Sequence, residues 1–172
     1  RTPVSAPNFG GSFNNVAEVQ PDPANNGEFD PSTNISISSI QVISPIVSKS
    51  FVPDEIIATQ TSVLTFTIEN IPGNAAQSGI SFTDNLPAGM VLAGDPSWVQ
   101  NNGCTADFVG LTNDTFVGIA NLVFPAGVAN CTFSVLVTSD TPNLYTNEFA
   151  NFSNLNNIDA TNVFATLNVL PL

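Results

Sequence analysis

The stretch VSKSFVPDEIIATQTSVLTFTI, from Val47 to Ile68, and the phrase FTDNLPAGM, from Phe82 to Met90, decide the fold. They read as a strand, a Pro-bearing turn, a second strand, and then a turn rich in Asp, Asn, Pro and Gly. In the second strand Leu64, Phe66 and Ile68 share one side, and Thr65, Thr67 and Glu69 share the other. That period of two is the signature of a half-buried strand. Antiparallel sheets with one wet face produce it, and the sandwich is their commonest home.

Further candidate strands continue at sandwich spacing: Ser62–Asn70, Ile80–Thr83, Met90–Ala93, Thr105–Val109, Thr115–Ala120, Cys131–Thr138, Asn147–Ser153 and Asn162–Val169. The turn signals IPGN, DNLPAG, GDP, NNG, TND, FPAGVAN, SDTPN and LNNID separate them. No helical period of useful length interrupts the series, so the expected class is an all-β antiparallel sandwich. It occupies residues 47–172.

Residues 1–31 differ in composition. RTPVSAPNFGGSFNNVAEVQPDPANNGEFDP is rich in Pro, Gly and Asn and has no sustained period, which predicts an extended arm. Residues 32–46 form a linking or donor strand. Ile35 and Ile37 lie on one parity, Ile40 and Val42 on the other. The switch at Ser38–Ser39 predicts a bulge or a strand that changes sheets, and Pro45 excludes a central ladder position.

Of the 172 residues, 42% are hydrophobic, enough for a sizeable core, and 9% are charged. Ordinary soluble domains carry roughly 25% charged residues, so polarity here falls to Asn, Thr, Ser and Gln, as on secreted β proteins. Two basic residues, Arg1 and Lys49, face fourteen acidic ones, for a net charge of −12. That charge repels phosphate backbones and anionic headgroups and excludes nucleic acid as a partner. Divalent cations, cationic surfaces, or solubility alone remain as its uses. Cys104 and Cys131 are the only cysteines. An even count fits one disulfide and an oxidising compartment, against the alternative of two buried thiols. The chain begins at Arg1 without a signal-like stretch, and no run of eighteen apolar residues occurs. The expectation is an extracellular or cell-surface protein whose targeting segment has been removed, without membrane insertion.

From about residue 47 to residue 170 the chain resembles the uncharacterised Ig-like repeat family of bacterial and archaeal surface proteins. The phrases that carry the resemblance are Lys49-Ser50-Phe51 with Pro53, Ser62 to Asn70, Gly79 to Met90, the two cysteines, and Val137 to Asn147, VTSDTPNLYTN. The resemblance implies an Ig-like sandwich and no enzyme activity. Such repeats usually occur as tandem beads in adhesins, stalks and envelope proteins, whereas here one repeat follows a long arm.

No catalytic residue is assigned. Without His, neither a Ser–His nor a Cys–His arrangement exists, and Asp84 is explained as a turn cap. Lys49 is the sole lysine. In some extracellular sandwiches a first-strand Lys joins covalently to a last-strand Asn beside a buried carboxyl. Asn162 and Asn168 supply the carboxamide candidates, and Glu69 or Asp84 the carboxyl, against an ordinary salt-bridged lysine. Asn-x-Ser/Thr sequons stand at Asn34, Asn113, Asn130 and Asn151 as glycosylation candidates. Asp22, Asn25, Asn26, Glu28 and Asp30, around Gly27, are oxygen donors of the kind calcium takes, though PDPANNG is also a natural turn. No other cofactor is expected.

Two functions fit. In the first, the chain is a structural subunit of an extracellular filament or surface assembly. It polymerises with copies of itself by adding its N-terminal strand to a neighbour, with Ile35, Ile37, Ile40 and Val42 as pocket fillers. In the second it is an adhesin-type module that stacks surface glycans on Trp98 or Tyr145. The competing reading of those two aromatics places Trp98 in the core and Tyr145 at a sandwich corner, and it is preferred.

Overall fold

The computed structural model describes residues 11–18, 35–71 and 75–172, and for 11–18 and 35–42 the backbone alone. Its strands are β1 (Gly11–Glu18), β2 (Ile35–Val42), β3 (Ile46–Val52), β4 (Glu55–Ile57), β5 (Thr61–Glu69), β6 (Gln77–Asn85), β7 (Val91–Leu92), β8 (Ser97–Gln100), β9 (Thr105–Val109), β10 (Phe116–Phe124), β11 (Asn130–Thr138), β12 (Asn143–Glu148), β13 (Phe152–Asn156) and β14 (Phe164–Leu170). The all-β sandwich expected from the alternation is present. One sheet runs β13-β6-β10-β9 and another β3-β5-β11-β7, with β8 also on β11. A third runs β12-β14-β4. Pairing is antiparallel except between β14 and β4, where Asn168, Val169 and Leu170 run alongside Glu55, Ile56 and Ile57.

Alternation sets which side chains meet between the sheets. Leu64, Phe66 and Ile68 on β5 are fully buried, as are Phe133 and Val137 on β11. Phe66 and Phe133 lie opposite one another in register and stack with ring centroids 4.8 Å apart. Phe82 on β6 meets Phe66 at 5.5 Å and Phe152 on β13 at 5.2 Å, so aromatic rings bridge the gap between the sheets. Such offset pairs add attraction beyond their area burial. Gly118 on β10 lies opposite Thr83 on β6. A Cβ there would sit 2.1 Å from the Phe82 carbonyl oxygen, so only glycine fits.

The structure departs from the sequence reading at several places. The candidate strand Asn147–Ser153 is divided: β12 ends at Glu148, a 3₁₀ turn spans Phe149–Asn151, and β13 begins at Phe152. The Asn151 side chain causes the break. It accepts from the Glu148 amide at 3.0 Å and donates to the Asn85 carbonyl at 2.9 Å. The chain thereby leaves the β14 ladder and crosses to β6. Strands β4 and β8 are too short to show a period and were not expected. No bulge occurs at Ser38–Ser39, because β2 pairs with β1 in unbroken register from Glu18–Ile35 to Gly11–Val42. Register shifts fall within the sandwich instead: in β10 around Asn121, whose φ is 55°, between Ser153 and Asn156 on β13, and between Thr132 and Phe133 on β11.

Cys104, which immediately precedes β9, is bonded to Cys131 on β11, with Cα atoms 6.5 Å apart. The disulfide therefore ties two different sheets together. Replacing both cysteines with alanine should lower the unfolding free energy by about 3–4 kcal/mol in the loop-entropy account, read by denaturant titration.

Candidate functional site

Three polar side chains occupy inward positions that the alternation reserves for apolar ones. On β3, Val47, Lys49 and Phe51 face the core, with Lys49 opposite Phe66. On β6, Ile80, Phe82 and Asp84 do the same, and Asp84 lies between Val117 of β10 and Phe152 of β13. On β12, Tyr145 and Asn147 point inward, Asn147 opposite Ala165. The Lys49 and Asp84 side chains are 0% exposed, and so is Asn147.

The three groups converge on one oxygen. Lys49 Nζ donates to Asp84 Oδ2 at 3.1 Å, and Asn147 Nδ2 donates to the same atom at 2.8 Å. The ammonium also sits 4.5 Å from the centroid of the Phe152 ring. Asp84 Oδ1 and Asn147 Oδ1 are buried without a hydrogen-bond partner among the described residues. Burial disfavours both charges. It lowers Lys49 from 10.5 to about 8, although Asp84 beside it pulls the other way. It raises Asp84 from 3.8 to about 6, against the opposing pull of Lys49 and the Asn147 hydrogen bond. An amine and a carboxylic acid brought this close in proton affinity exchange a proton far more readily than they would in water. A neutral amine is a nucleophile, and a carboxamide carbon is an electrophile.

Of the residues singled out for this chemistry, the structure brings Lys49 and Asp84 together. Asp84 is an inward residue of β6 rather than a turn cap, since the strand continues to Asn85. Glu69 is exposed at the end of β5, Asn162 is exposed in a turn, and Asn168 donates to Glu55 at 2.9 Å. None of the three joins the cluster. The carboxamide is instead that of Asn147, which the sequence reading did not place here. Its signal was an Asn sharing the parity of Tyr145 in the phrase YTN, one of the phrases that carry the family resemblance.

The other candidates distribute as follows. Tyr145 is 2% exposed, and its hydroxyl donates to the Thr141 carbonyl at 2.9 Å and lies 2.8 Å from Ser139 Oγ, a sandwich corner. Trp98 is half-buried against Phe108 at 5.2 Å. Of the sequon residues, Asn113 is exposed in a turn. The Asn130 carbonyl groups accept from Asn102, and the Asn151 amide is bonded to Asn85. Asn34 and the oxygen cluster Asp22, Asn25, Asn26, Glu28 and Asp30 lie outside the described residues. Among the described residues no group of three His, Cys, Asp or Glu could hold a metal ion. Among them, too, no helix is long and apolar enough to cross a membrane. Ile35, Ile37, Ile40 and Val42 lie on β2, paired to β1.

Over residues 45–169 the sequence matches the family described as Domain of unknown function (DUF7933), and the chain belongs to that family. The match spans the sandwich and does not itself establish the Ig-like repeat resemblance. No curated protein matches the sequence. Among solved structures, a non-cellulosomal cohesin from the hyperthermophilic archaeon Archaeoglobus fulgidus is similar at 15% identity. The alignment covers 74% of this chain and 90% of the cohesin, with a TM-score of 0.46. BslA, a bacterial hydrophobin, is similar at 13% identity over 77% of this chain and 97% of its own, with a TM-score of 0.40.

The buried carboxyl has a pH signature. Between pH 3.8 and about 6 the folded chain keeps a proton on Asp84 that the unfolded chain has released, so stability falls as pH rises through that window. Lowering the pH through about 6 should therefore raise the unfolding free energy, by up to about 1 kcal/mol per pH unit. Asp84→Asn should lack this component. Denaturant titrations of both chains across the window check it, and parallel profiles would contradict it.

Proposed function

We propose that this member of the family is a non-catalytic structural subunit of an extracellular surface assembly, joined to its neighbours by N-terminal strand addition. The observation that carries the reading is the strand pairing of the N-terminal segment. β1 and β2 pair with each other over eight residues each and belong to none of the sandwich sheets. They join the sandwich through the short link Ile43–Pro45.

A two-stranded ribbon is marginal alone in water and gains most by extending a sheet. Strands β9 and β12 each end a sheet in the pairing order, and an open edge is the natural acceptor for an added strand. Repeated head to tail, such an addition gives an open polymer rather than a closed ring. A chain with 9% charged residues suits close lateral contact, and a buried disulfide suits an oxidising compartment outside the cytosol. The glycan-binding alternative draws less support, because Tyr145 is committed to its corner and Trp98 to Phe108.

Electron microscopy of the full chain beside a chain lacking residues 1–42 tests this. Ile43 is retained because its carbonyl accepts from Gln77 Nε2. Filaments from the full chain alone are expected, with the shortened chain dispersed but still cooperatively folded. Ile37→Asp combined with Val42→Asp should also abolish filaments. Dispersed particles from the full chain, or filaments from both, would overturn the reading.

A further inference from the structure

The geometry points to a covalent amide bond between Lys49 and Asn147, formed inside the folded chain with Asp84 as the proton carrier. The nucleophile, the carboxamide and an acid–base group that touches both are on three different strands, all sealed from water. Each is held by a ladder of backbone bonds, so the approach costs little further ordering. The Phe152 ring covers the ammonium on its apolar side, with Phe82 stacked on that ring and Phe66 edge-on to it.

The step balances without an outside reagent. The Lys49 ammonium gives a proton to Asp84, and the freed amine attacks Cγ of Asn147, forming the new N–C bond. Asp84 passes its proton to Nδ2, which leaves as ammonia as the old C–N bond breaks. The second proton shed by Nζ stays on Asp84. Ammonium, carboxylate and carboxamide become a secondary amide, a carboxylic acid and ammonia, with no change in total charge.

Two features favour the product. It removes a charged pair from a dry interior, where such a pair is costly to keep. It also leaves a carboxyl O–H in a cluster that otherwise holds two acceptors without donors, Asp84 Oδ1 and Asn147 Oδ1. The lowered proton affinity of Lys49 and the raised one of Asp84 act in the same direction. The bond would join β3, the first strand of the sandwich, to β12 in another sheet. With the Cys104–Cys131 disulfide, it would make two cross-links between different sheets.

The test uses the full chain. Its intact mass should be lower than the sequence mass by one ammonia, after allowance for the disulfide and any glycan. Ring closure at Asn26–Gly27 or Asn102–Gly103 would give the same loss, so the deciding readouts are two others. Proteolysis should release a branched peptide linking the Lys49 and Asn147 segments. The reduced chain, unfolded in denaturant and treated with an amine-acylating reagent, should take up label at its α-amino group and none at Lys49, the only lysine. Lys49→Arg, Asp84→Asn and Asn147→Ala should each lack the branched peptide, and in the latter two Lys49 should label fully. Full labelling of Lys49 in the unaltered chain, with circular dichroism showing the sandwich folded, would overturn the inference.

Discussion

The sandwich is organised around a polar contact in the place where strand alternation calls for apolar side chains. A buried ammonium is tolerable only beside a counter-charge, and a buried carboxylate only where its lone pairs are met. Lys49 and Asp84 satisfy each other through one oxygen, which also receives the Asn147 carboxamide. The contact therefore specifies how β3, β6 and β12, from three different sheets, sit relative to one another. Apolar packing alone would accept many small shifts of sheet over sheet, whereas this contact accepts few. The Phe152 ring lies against the ammonium, and the rings of Phe66, Phe82 and Phe133 extend the aromatic packing from it into the core.

The cluster and the disulfide act at different places. Lys49, Asp84 and Asn147 connect the first sandwich strand to β6 and β12, and Cys104–Cys131 connects the start of β9 to β11. Together they bind all three sandwich sheets through side chains, independently of the backbone ladders within each sheet. A protein with 9% charged residues has few surface ion pairs with which to steady itself, so its fixed points lie inside. The N-terminal ribbon stands outside this scheme, and its pairing asks nothing of the core.

Much of the architecture was legible in the sequence because alternation is a local signal. Ile80, Phe82, Phe133, Val135 and Leu167 could each be assigned to the core from neighbours two residues away. The short β4 and β8 were not legible, since three or four residues carry no measurable period. The division of β12 from β13 escaped because it depends on Asn151 reaching Asn85, a contact between residues far apart in sequence. The site was half legible. Lys49 drew notice as the only lysine among apolar neighbours, and Asp84 as the acid of the FTD phrase. Asn147 did not, because the chain is rich in Asn and the one local cue, its shared parity with Tyr145, does not say what it faces. The expected strand Asn162–Val169 is preceded by Asp159, which bridges to Ile46 at the start of β3. Its Asn side chains nevertheless point elsewhere, and only the pairing of β12 with β14 brings Asn147 inward.

The central claim is that the Lys49 nitrogen is sealed in the core and no longer behaves as an amine. Nuclear magnetic resonance of the chain labelled with ¹⁵N at the lysine side-chain nitrogen reads it directly, because one lysine gives one signal. The account predicts an amide-type nitrogen bearing a single proton that exchanges slowly with water. An ammonium or free-amine signal, titrating near the lowered value of about 8 that burial gives an unlinked Lys49, would contradict it.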